Sequence, residues 1–319
     1  MEDQSKSKDQ LINELHALRI RMAEAEVLEL ELKRTREKLA ALEQMVNSLP
    51  MGVTISDLEG KILYSNPAEA QMHGYTVAEL LGQEVKIFAP QGRWSPIDPE
   101  QAKKIKRLTR EALNVRKDGA TFDALLTSDV VKNQRGQAVA IITTSEELTA
   151  KKQAQAFMAA LYKISDKAAA AVDLKKLCAD LHNIVGGLIY ARNFYLALYD
   201  QEADNLTFPY FVDEFSAAPA PQKMKKGLIK QVLETGQALF ATQETYSQML
   251  RQGGFEEMDT PFVNWLGVPL KKDDRIFGLM VINSYTEEIS FGQTEKELLV
   301  FAAQQMVNAM DKIVYLKGK

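Results

Sequence analysis

The fold of the first half of this chain is decided by one stretch, Asp57-Leu58-Glu59-Gly60-Lys61-Ile62-Leu63-Tyr64-Ser65-Asn66-Pro67-Ala68. Residues 52–56 before it alternate along the chain as a strand does, and residues 57–61 contain the turn-forming Asp and Gly. Together they predict a β-hairpin. Asn66-Pro67 then ends the second strand and starts a short helix that runs to His73. The pattern therefore predicts strand, strand and helix in succession.

Three further strands are predicted in this half of the chain. Their segments are residues 112–115, 122–131 and 138–144, and glycine-containing turns separate them. A helix is predicted near residues 99–108. Two strands, short helices and three more strands predict a five-stranded antiparallel sheet with helices on one face and a cavity between the two layers.

This block resembles a PAS sensor domain. The similarity covers roughly residues 43–150, and we assign the domain to residues 46–149. It rests on the quoted stretch, Gly74-Tyr75, Glu79-Leu80-Leu81-Gly82, Arg116-Lys117-Asp118-Gly119 and Ser145-Glu146-Glu147-Leu148-Thr149. In that family the closing element passes a pocket signal into the outgoing helix. The resemblance therefore implies that Glu147, Leu148 and Thr149 form a signal relay.

The resemblance does not identify a cofactor. Light-sensing flavin members of the family need a reactive cysteine after the second strand, and this block contains none. Haem-binding members usually supply an axial histidine from the long helix, and residues 92–113 contain none. We interpret His73, the one histidine of the block, as a packed or hydrogen-bonded side chain. The domain either binds a small molecule or serves as a dimeric spacer.

A second strand-rich block follows, and we assign it to residues 172–292. Strands are predicted at residues 194–200, 206–212, 238–240, 265–270 and 276–283, and helices at 174–188 and 227–235. The sequence pattern is carried by Arg192–Asp200, Gly227–Gly236, Trp265–Leu270, Gly278–Ile282 and Phe291–Phe301. Together these segments resemble a GAF domain over about residues 155–316. This resemblance implies a six-stranded antiparallel sheet with helices on both sides and a ligand cavity on one face.

The ligand of this second cavity is not apparent from the sequence. Bilin-binding relatives need a cysteine in or near the pocket, and Cys178 lies in the helix before the first strand. Aromatic strand residues can line an apolar pocket or fill the core between sheet and helices, and both readings stay open. The candidate ligand-binding residues are Tyr195, Phe208, Tyr210, Phe211, Trp265 and Met280.

Three segments carry apolar residues at alternating steps of three and four, as a two-stranded coiled coil requires. We assign a coiled-coil helix to residues 1–45, a connecting signalling helix to 150–171, and a C-terminal helix to 293–319 that packs on the GAF block and on a dimer partner. For the middle and last helices, packing on their own domain is the alternative. The predicted interface of a parallel homodimer consists of Leu32, Leu39, Leu42, Val46, Phe157, Leu161, Ile164, Met306, Ala309 and Ile313.

Composition limits the class of protein. The chain has 319 residues and a formal net charge of −4, which gives no general attraction to nucleic acid or to an anionic membrane. No run of about eighteen apolar residues and no secretion signal is present, so a cytoplasmic location is expected. The single cysteine excludes an intrachain disulfide and a multi-cysteine metal site, and no metal ligands are assigned.

No phosphoacceptor histidine on a paired helix and no glycine-rich nucleotide loop is apparent, so no catalytic residue is assigned. The expected function is a non-enzymatic α+β sensory module that relays a small-molecule or redox signal through dimeric helices. Because the last heptad runs to the end of the chain, we expect an output module to follow it, a histidine kinase of a two-component system. The alternative is a stand-alone scaffold that binds a separate kinase or regulator.

Overall fold

The computed structural model describes residues 7–92, 107–253, 261–273 and 275–317. The chain divides into two compact units, Met1–Ala150 and Lys151–Lys319. Both contain an antiparallel sheet and helices, so the α+β class is confirmed.

The first unit is a long helix followed by a five-stranded sheet with short helices. The sheet order β2-β1-β5-β4-β3 is antiparallel throughout, and the expected five strands are confirmed. Its elements are α1 (Lys8–Asn47), β1 (Gly52–Ser56), β2 (Ile62–Ser65), α2 (Pro67–His73), α3 (Val77–Leu80), a 3₁₀ turn (Val85–Phe88), β3 (Leu108–Val115), β4 (Thr121–Lys132) and β5 (Ala138–Glu147).

Short-range chemistry explains the helix that follows the hairpin. The side chain of Asn66 caps α2 by accepting from the backbone N–H of Glu69, and Pro67 occupies the first turn, where its missing N–H costs nothing. Gly74 ends α2 in the left-handed region at φ 74°. Of the helix predicted near residues 99–108, residues 99–106 lie outside the described residues, while Leu108 begins a strand.

The second unit has a sheet with helices on both faces. Its elements are α4 (Thr149–Ala170), which begins two residues before the unit boundary, α5 (Leu174–Gly186), β6 (Asn193–Asp200), β7 (Asn205–Val212), α6 (Leu228–Thr235), β8 (Leu239–Thr242), α7 (Gln243–Arg251), β9 (Asn264–Lys272), β10 (Arg275–Ser284) and α8 (Gln293–Lys317). The sheet order is β7-β6-β10-β9-β8.

The expected sixth strand of this sheet is not formed in the described part of the chain. Beside the edge strand β7, the pairing is reduced to one antiparallel bridge between Leu206 and Gln222. Residues 213–227 otherwise form loop and turn structure, and they contain two prolines and two adjacent lysines. Proline lacks the N–H that a strand ladder needs, which explains why the pairing does not extend.

Side chains of the second sheet alternate between two cores. Phe194 and Leu196 face α4, α5 and α8, while Tyr195 and Ala197, one residue along, face α6 and α7. This is the period of two that a strand imposes.

Six of the predicted dimer contacts lie in or against the first of these cores. Ile164 and Met306 have no exposed surface, and Ala309 and Ile313 are also buried. Phe157 and Leu161 pack against the same core. The four buried positions are covered by the chain's own sheet and helices, as in the alternative prediction for the middle and last helices, while Phe157 and Leu161 are half-buried.

The first heptad segment is different. Across Lys8–Asn47, no side chain is buried. Leu32, Leu39 and Leu42 are exposed, and Val46 is half-buried. The apolar stripe of α1 is therefore available for contact with another molecule.

Candidate ligand sites and the relay segment

The second unit contains a cavity of about 350 Å³ between its sheet and α6. Four predicted ligand-binding residues line it: Tyr195, Phe208, Phe211 and Trp265. The indole Nε1 of Trp265 donates to the hydroxyl of Tyr195 at 3.1 Å, and the ring of Tyr195 stacks on Phe211 with centroids 5.3 Å apart. The structure brings these four aromatic side chains together as one wall.

Tyr210 and Met280, the other two predicted residues, lie on the opposite face of the sheet. Both are register partners of Leu196, on the face that α4, α5 and α8 cover. The hydroxyl of Tyr210 lies 2.9 Å from Nδ1 of His182, while Met280 is fully buried in the core. The strand period of two separates these two residues from the cavity.

Sequence reasoning missed the polar end of this cavity. Tyr285 donates from its hydroxyl to Oδ2 of Asp213 at 2.8 Å, and both residues line the cavity. Burial and the Asp213 carboxylate raise the pKa of Tyr285 to about 12. Lys223, Lys225 and Lys226 also line the cavity and are more exposed. The arrangement suits a flat apolar group with a polar substituent.

The first unit contains a cavity of about 370 Å³ between its sheet and its short helices. Three hydroxyl side chains cross its floor in register, because Thr54 on β1 pairs with Thr143 on β5 and Thr143 pairs with Ser128 on β4. The hydroxyls of Ser128 and Thr143 are 2.9 Å apart. A sheet face that would ordinarily pack apolar side chains against helices is polar here.

Glu69 projects into this cavity from α2. Its side chain is almost fully buried, and Oε1 accepts a hydrogen bond from the hydroxyl of Ser145 at 3.3 Å. Within the described residues, Oε2 of Glu69 and Oγ1 of Thr54 have no hydrogen-bond partner. Burial raises the pKa of Glu69 to about 7, although the hydrogen bond from Ser145 acts in the opposite direction. In the sequence, Glu69 is distinguished only by its place in the first turn of a helix.

His73 lies next to Glu69 in the core of the first unit. Its Nδ1 is 3.1 Å from the carbonyl oxygen of Glu69, and its Nε2 is 3.1 Å from the amide nitrogen of Asn114. Burial lowers the pKa of His73 to about 4, so the ring is neutral at pH 7. A neutral ring that donates from Nδ1 and accepts at Nε2 satisfies both contacts.

The comparison with family models decides the identity of the two units. A model described as a PAS domain matches residues 50–150, and a model described as a GAF domain matches residues 171–311. The chain carries a PAS domain followed by a GAF domain.

Solved structures of both kinds of domain are similar to parts of the chain. The PAS domain of a Colwellia psychrerythraea protein is 18% identical, with a TM-score of 0.33, over 35% of this chain and 97% of that one. The GAF domain of a phosphoenolpyruvate-protein phosphotransferase from Coxiella burnetii is 15% identical, with a TM-score of 0.44, over 52% of this chain and 99% of that one. No curated protein matches the chain.

An ion pair connects the segment that closes the PAS domain to the rest of that domain. Glu147 at the end of β5 accepts from the guanidinium of Arg116 at 2.6 Å, and Arg116 also donates to the carbonyl of Met72 at the end of α2. Burial raises the pKa of Glu147, but the hydrogen bond and charge of Arg116 outweigh it, so the pKa lies below its usual value. Leu148 is buried and donates from its backbone N–H to Asp123.

Thr149, the last of the three predicted relay residues, begins α4. The end of a cavity strand and the start of the outgoing helix are thus separated by one residue, Leu148. In the described part of the chain, none of the helices has an apolar run long enough to cross a bilayer.

Proposed function

We propose that this chain is a dimeric, cytoplasmic sensory region that passes a small-molecule or redox signal from its PAS and GAF domains to an output module, a histidine kinase. The observation that carries the proposal is the course of β5. Ser145 on this strand contacts Glu69 in the PAS cavity, Glu147 pairs with Arg116 two residues later, and α4 begins at Thr149.

A signal of this kind requires two states of the connecting helix with different ligand affinities. α4 leaves the PAS domain at Thr149 and buries Ala160 and Ile164 in the core of the GAF domain. A change in the direction or register of the helix start is therefore opposed by packing at its far end. Such resistance favours two discrete arrangements over a continuous range.

The dimer is supported by α1. Its heptad positions Leu32, Leu39 and Leu42 are exposed, and forty residues of helix have no buried side chain of their own. A second copy of the chain in parallel orientation would cover this stripe with an identical one. Neither nucleic acid nor a membrane is a partner in this proposal, and no residue is assigned a catalytic role.

Hydrogen exchange of the full chain tests the relay. Glu69→Gln changes the cavity, and we expect it to alter amide protection in residues 149–156. Arg116→Met removes the ion pair to Glu147, and in that background the Glu69 substitution should change the amide protection of residues 149–156 less than it does in the wild type. Arg110→Met is the matched control, because Arg110 is an exposed arginine that also lines the PAS cavity. If α4 protection is the same in all variants, the relay is refuted.

Light scattering coupled to size-exclusion chromatography tests the dimer. Leu32→Asp should dissociate it, whereas Leu30→Asp should not. The two leucines are 50% and 51% exposed, but Leu30 lies off the heptad stripe. The two substitutions should therefore have the same effect on the stability of the monomer. A difference between the two variants in dimer dissociation is then due to the interface. A wild-type monomer at micromolar concentration would contradict the proposal.

A further inference from the structure

Among the described residues, the PAS cavity contains a buried carboxylate oxygen and a buried hydroxyl group that lack a hydrogen-bond partner. Glu69 is 1% exposed and Thr54 is 4% exposed, and both line the cavity. Among the described residues, neither Oε2 of Glu69 nor Oγ1 of Thr54 has a partner. Buried polar atoms in folded proteins are nearly always hydrogen-bonded, so each such atom calls for a physical explanation. A ligand that donates hydrogen bonds at this end of the cavity supplies one.

The charges around Glu69 restrict the ligand further. Of the described residues that line the cavity, Arg110 is the one cation, and it is exposed next to Glu111. Nδ1 of His73 lies 3.5 Å from Oε1 of Glu69, but the neutral ring already has a contact at each nitrogen. An ionised Glu69 is therefore a buried anion without a cationic partner in this part of the chain. A cation that donates hydrogen bonds fits this position best.

We propose that the PAS cavity binds a small molecule that carries a protonated primary amine, held by the Glu69 carboxylate and the Thr54 hydroxyl. The inference rests on the proposed sensory function and names the ligand class of one of its two cavities. An ammonium group has three donors and no acceptor, so it can donate to the Glu69 carboxylate and, with a second N–H, to the oxygen of the Thr54 hydroxyl. Phe88, Leu113 and Ile141 also line the cavity and provide apolar contacts for the carbon skeleton.

This binding mode has a pH signature. An ammonium group pairs with ionised Glu69, so binding competes with protonation of that carboxyl. The group that faces Glu69 and also titrates is His73 on the same helix, since Thr54 on β1, Ser145 on β5 and Asn114 on β3 do not titrate in this range. Since the pKa of Glu69 is about 7, affinity for an amine should rise about tenfold between pH 6 and pH 8, while the amine itself stays protonated.

Saturation-transfer NMR on the full chain tests the inference with two probes of equal length, n-butylamine and n-butanol. The amine should bind more tightly than the alcohol, with the tenfold pH dependence. Glu69→Gln should weaken amine binding at least tenfold and abolish its pH dependence. Glu59→Gln is the control, because it removes an exposed carboxylate of the same domain that does not line the cavity. Circular dichroism of each variant establishes that it is folded.

Equal or tighter binding of the alcohol, no binding of either probe, or amine binding that survives Glu69→Gln would overturn the inference. Hydrogen exchange in α4 tests the relay independently of the ligand class. If n-butylamine binds through Glu69 without changing protection at residues 149–156, the ligand class stands and the relay fails. If the alcohol binds instead and α4 responds, the relay stands and the amine inference fails.

Discussion

Glu69 and His73 predict an unusual pH dependence of PAS stability. Burial raises the pKa of Glu69 from 4.5 to about 7 and lowers that of His73 from 6.5 to about 4. Between pH 4.5 and 7, the folded domain keeps a proton on Glu69 that the unfolded chain has lost, so stability falls as pH rises. Between pH 4 and 6.5, the unfolded chain holds a proton on His73 that the folded domain lacks, so stability rises with pH.

The contributions of Glu69 and His73 to the slope of the free energy of unfolding against pH have opposite signs, and they act over nearly the same pH range. Each amounts to about 1.4 kcal/mol per pH unit, so they cancel between pH 4.5 and 6.5. Glu69→Gln removes the contribution that decreases with pH. The free energy of unfolding of this variant should therefore increase by about 2.7 kcal/mol relative to that of the wild type between pH 4.5 and 6.5. His73→Gln removes the contribution that increases with pH, so its free energy of unfolding should decrease by a similar amount over the same pH range. Either change is large against a typical domain stability of about 5 to 15 kcal/mol.

Urea unfolding of the full chain at several pH values measures both effects. A brief deuterium pulse at one common pH, read on peptides from β1 and β5, follows the PAS domain separately from the GAF domain. His73 also faces Arg116 and Glu147, and both are retained in all three proteins, so their contribution is shared. Parallel stability curves for the wild type and Glu69→Gln would refute the reasoning, as would a gain in His73→Gln.

Three further substitutions or reactions test the packing. Gly52→Ala should destabilise the PAS domain by about 1 to 3 kcal/mol, because a Cβ there would overlap Oε2 of Glu69; the double variant with Glu69→Ala should recover most of that loss in the same urea assay. Gly278→Ala should destabilise the GAF sheet by a similar amount, about 1 to 3 kcal/mol, since its Cβ would overlap the backbone oxygen of Ala197; unchanged exchange protection in β6 would contradict this. Burial raises the pKa of Cys178 to about 12, so iodoacetamide at pH 8 should label it far more slowly in the native chain than in urea, and equal rates would contradict its burial.

The sequence was sufficient for those features that local chemistry determines. Asn66-Pro67 starts a helix because the asparagine side chain caps it and the proline needs no donor, and Gly74 ends it because glycine tolerates a positive φ. The hairpin before Asn66 follows from its turn residues in the same way. These signals lie within a few residues of one another, so no knowledge of distant contacts is required.

Features that depend on distant contacts could not be predicted in this way. A heptad that forms a coiled coil and a stripe that packs on the chain's own sheet share nearly the same spacing, so Met306 and Leu32 looked alike in the sequence. The structure separates them, because Met306 is covered and Leu32 is half exposed. Likewise, Tyr210 and Tyr195 are both strand aromatics, and the register across β6 and β7 places them on opposite faces.

Glu69 shows most clearly what tertiary structure adds. In the sequence it is an acidic residue in the first turn of a helix, where a solvated carboxylate is expected. Its burial follows from Gly52 on β1, where the missing side chain leaves room for the carboxyl group, and from Ser145 on β5, which donates to it. These two residues are directly paired in the sheet, so the partners that bury Glu69 sit on adjacent strands far from it in sequence.

The same strand gives the proposed relay a physical path. Side chains of successive residues on a strand point to opposite faces of the sheet. Ser145 and Glu147 therefore lie on one face of β5, about 7 Å apart. Ser145 donates a hydrogen bond to Glu69, and an ammonium ligand bound to that carboxylate would change the strength of this hydrogen bond. Glu147 is held by Arg116, which also donates to the carbonyl of Met72 at the end of the helix that carries Glu69. Displacing α2 by ligand binding would therefore act on the start of α4 from two sides, through Ser145 along the strand and through Arg116 across it.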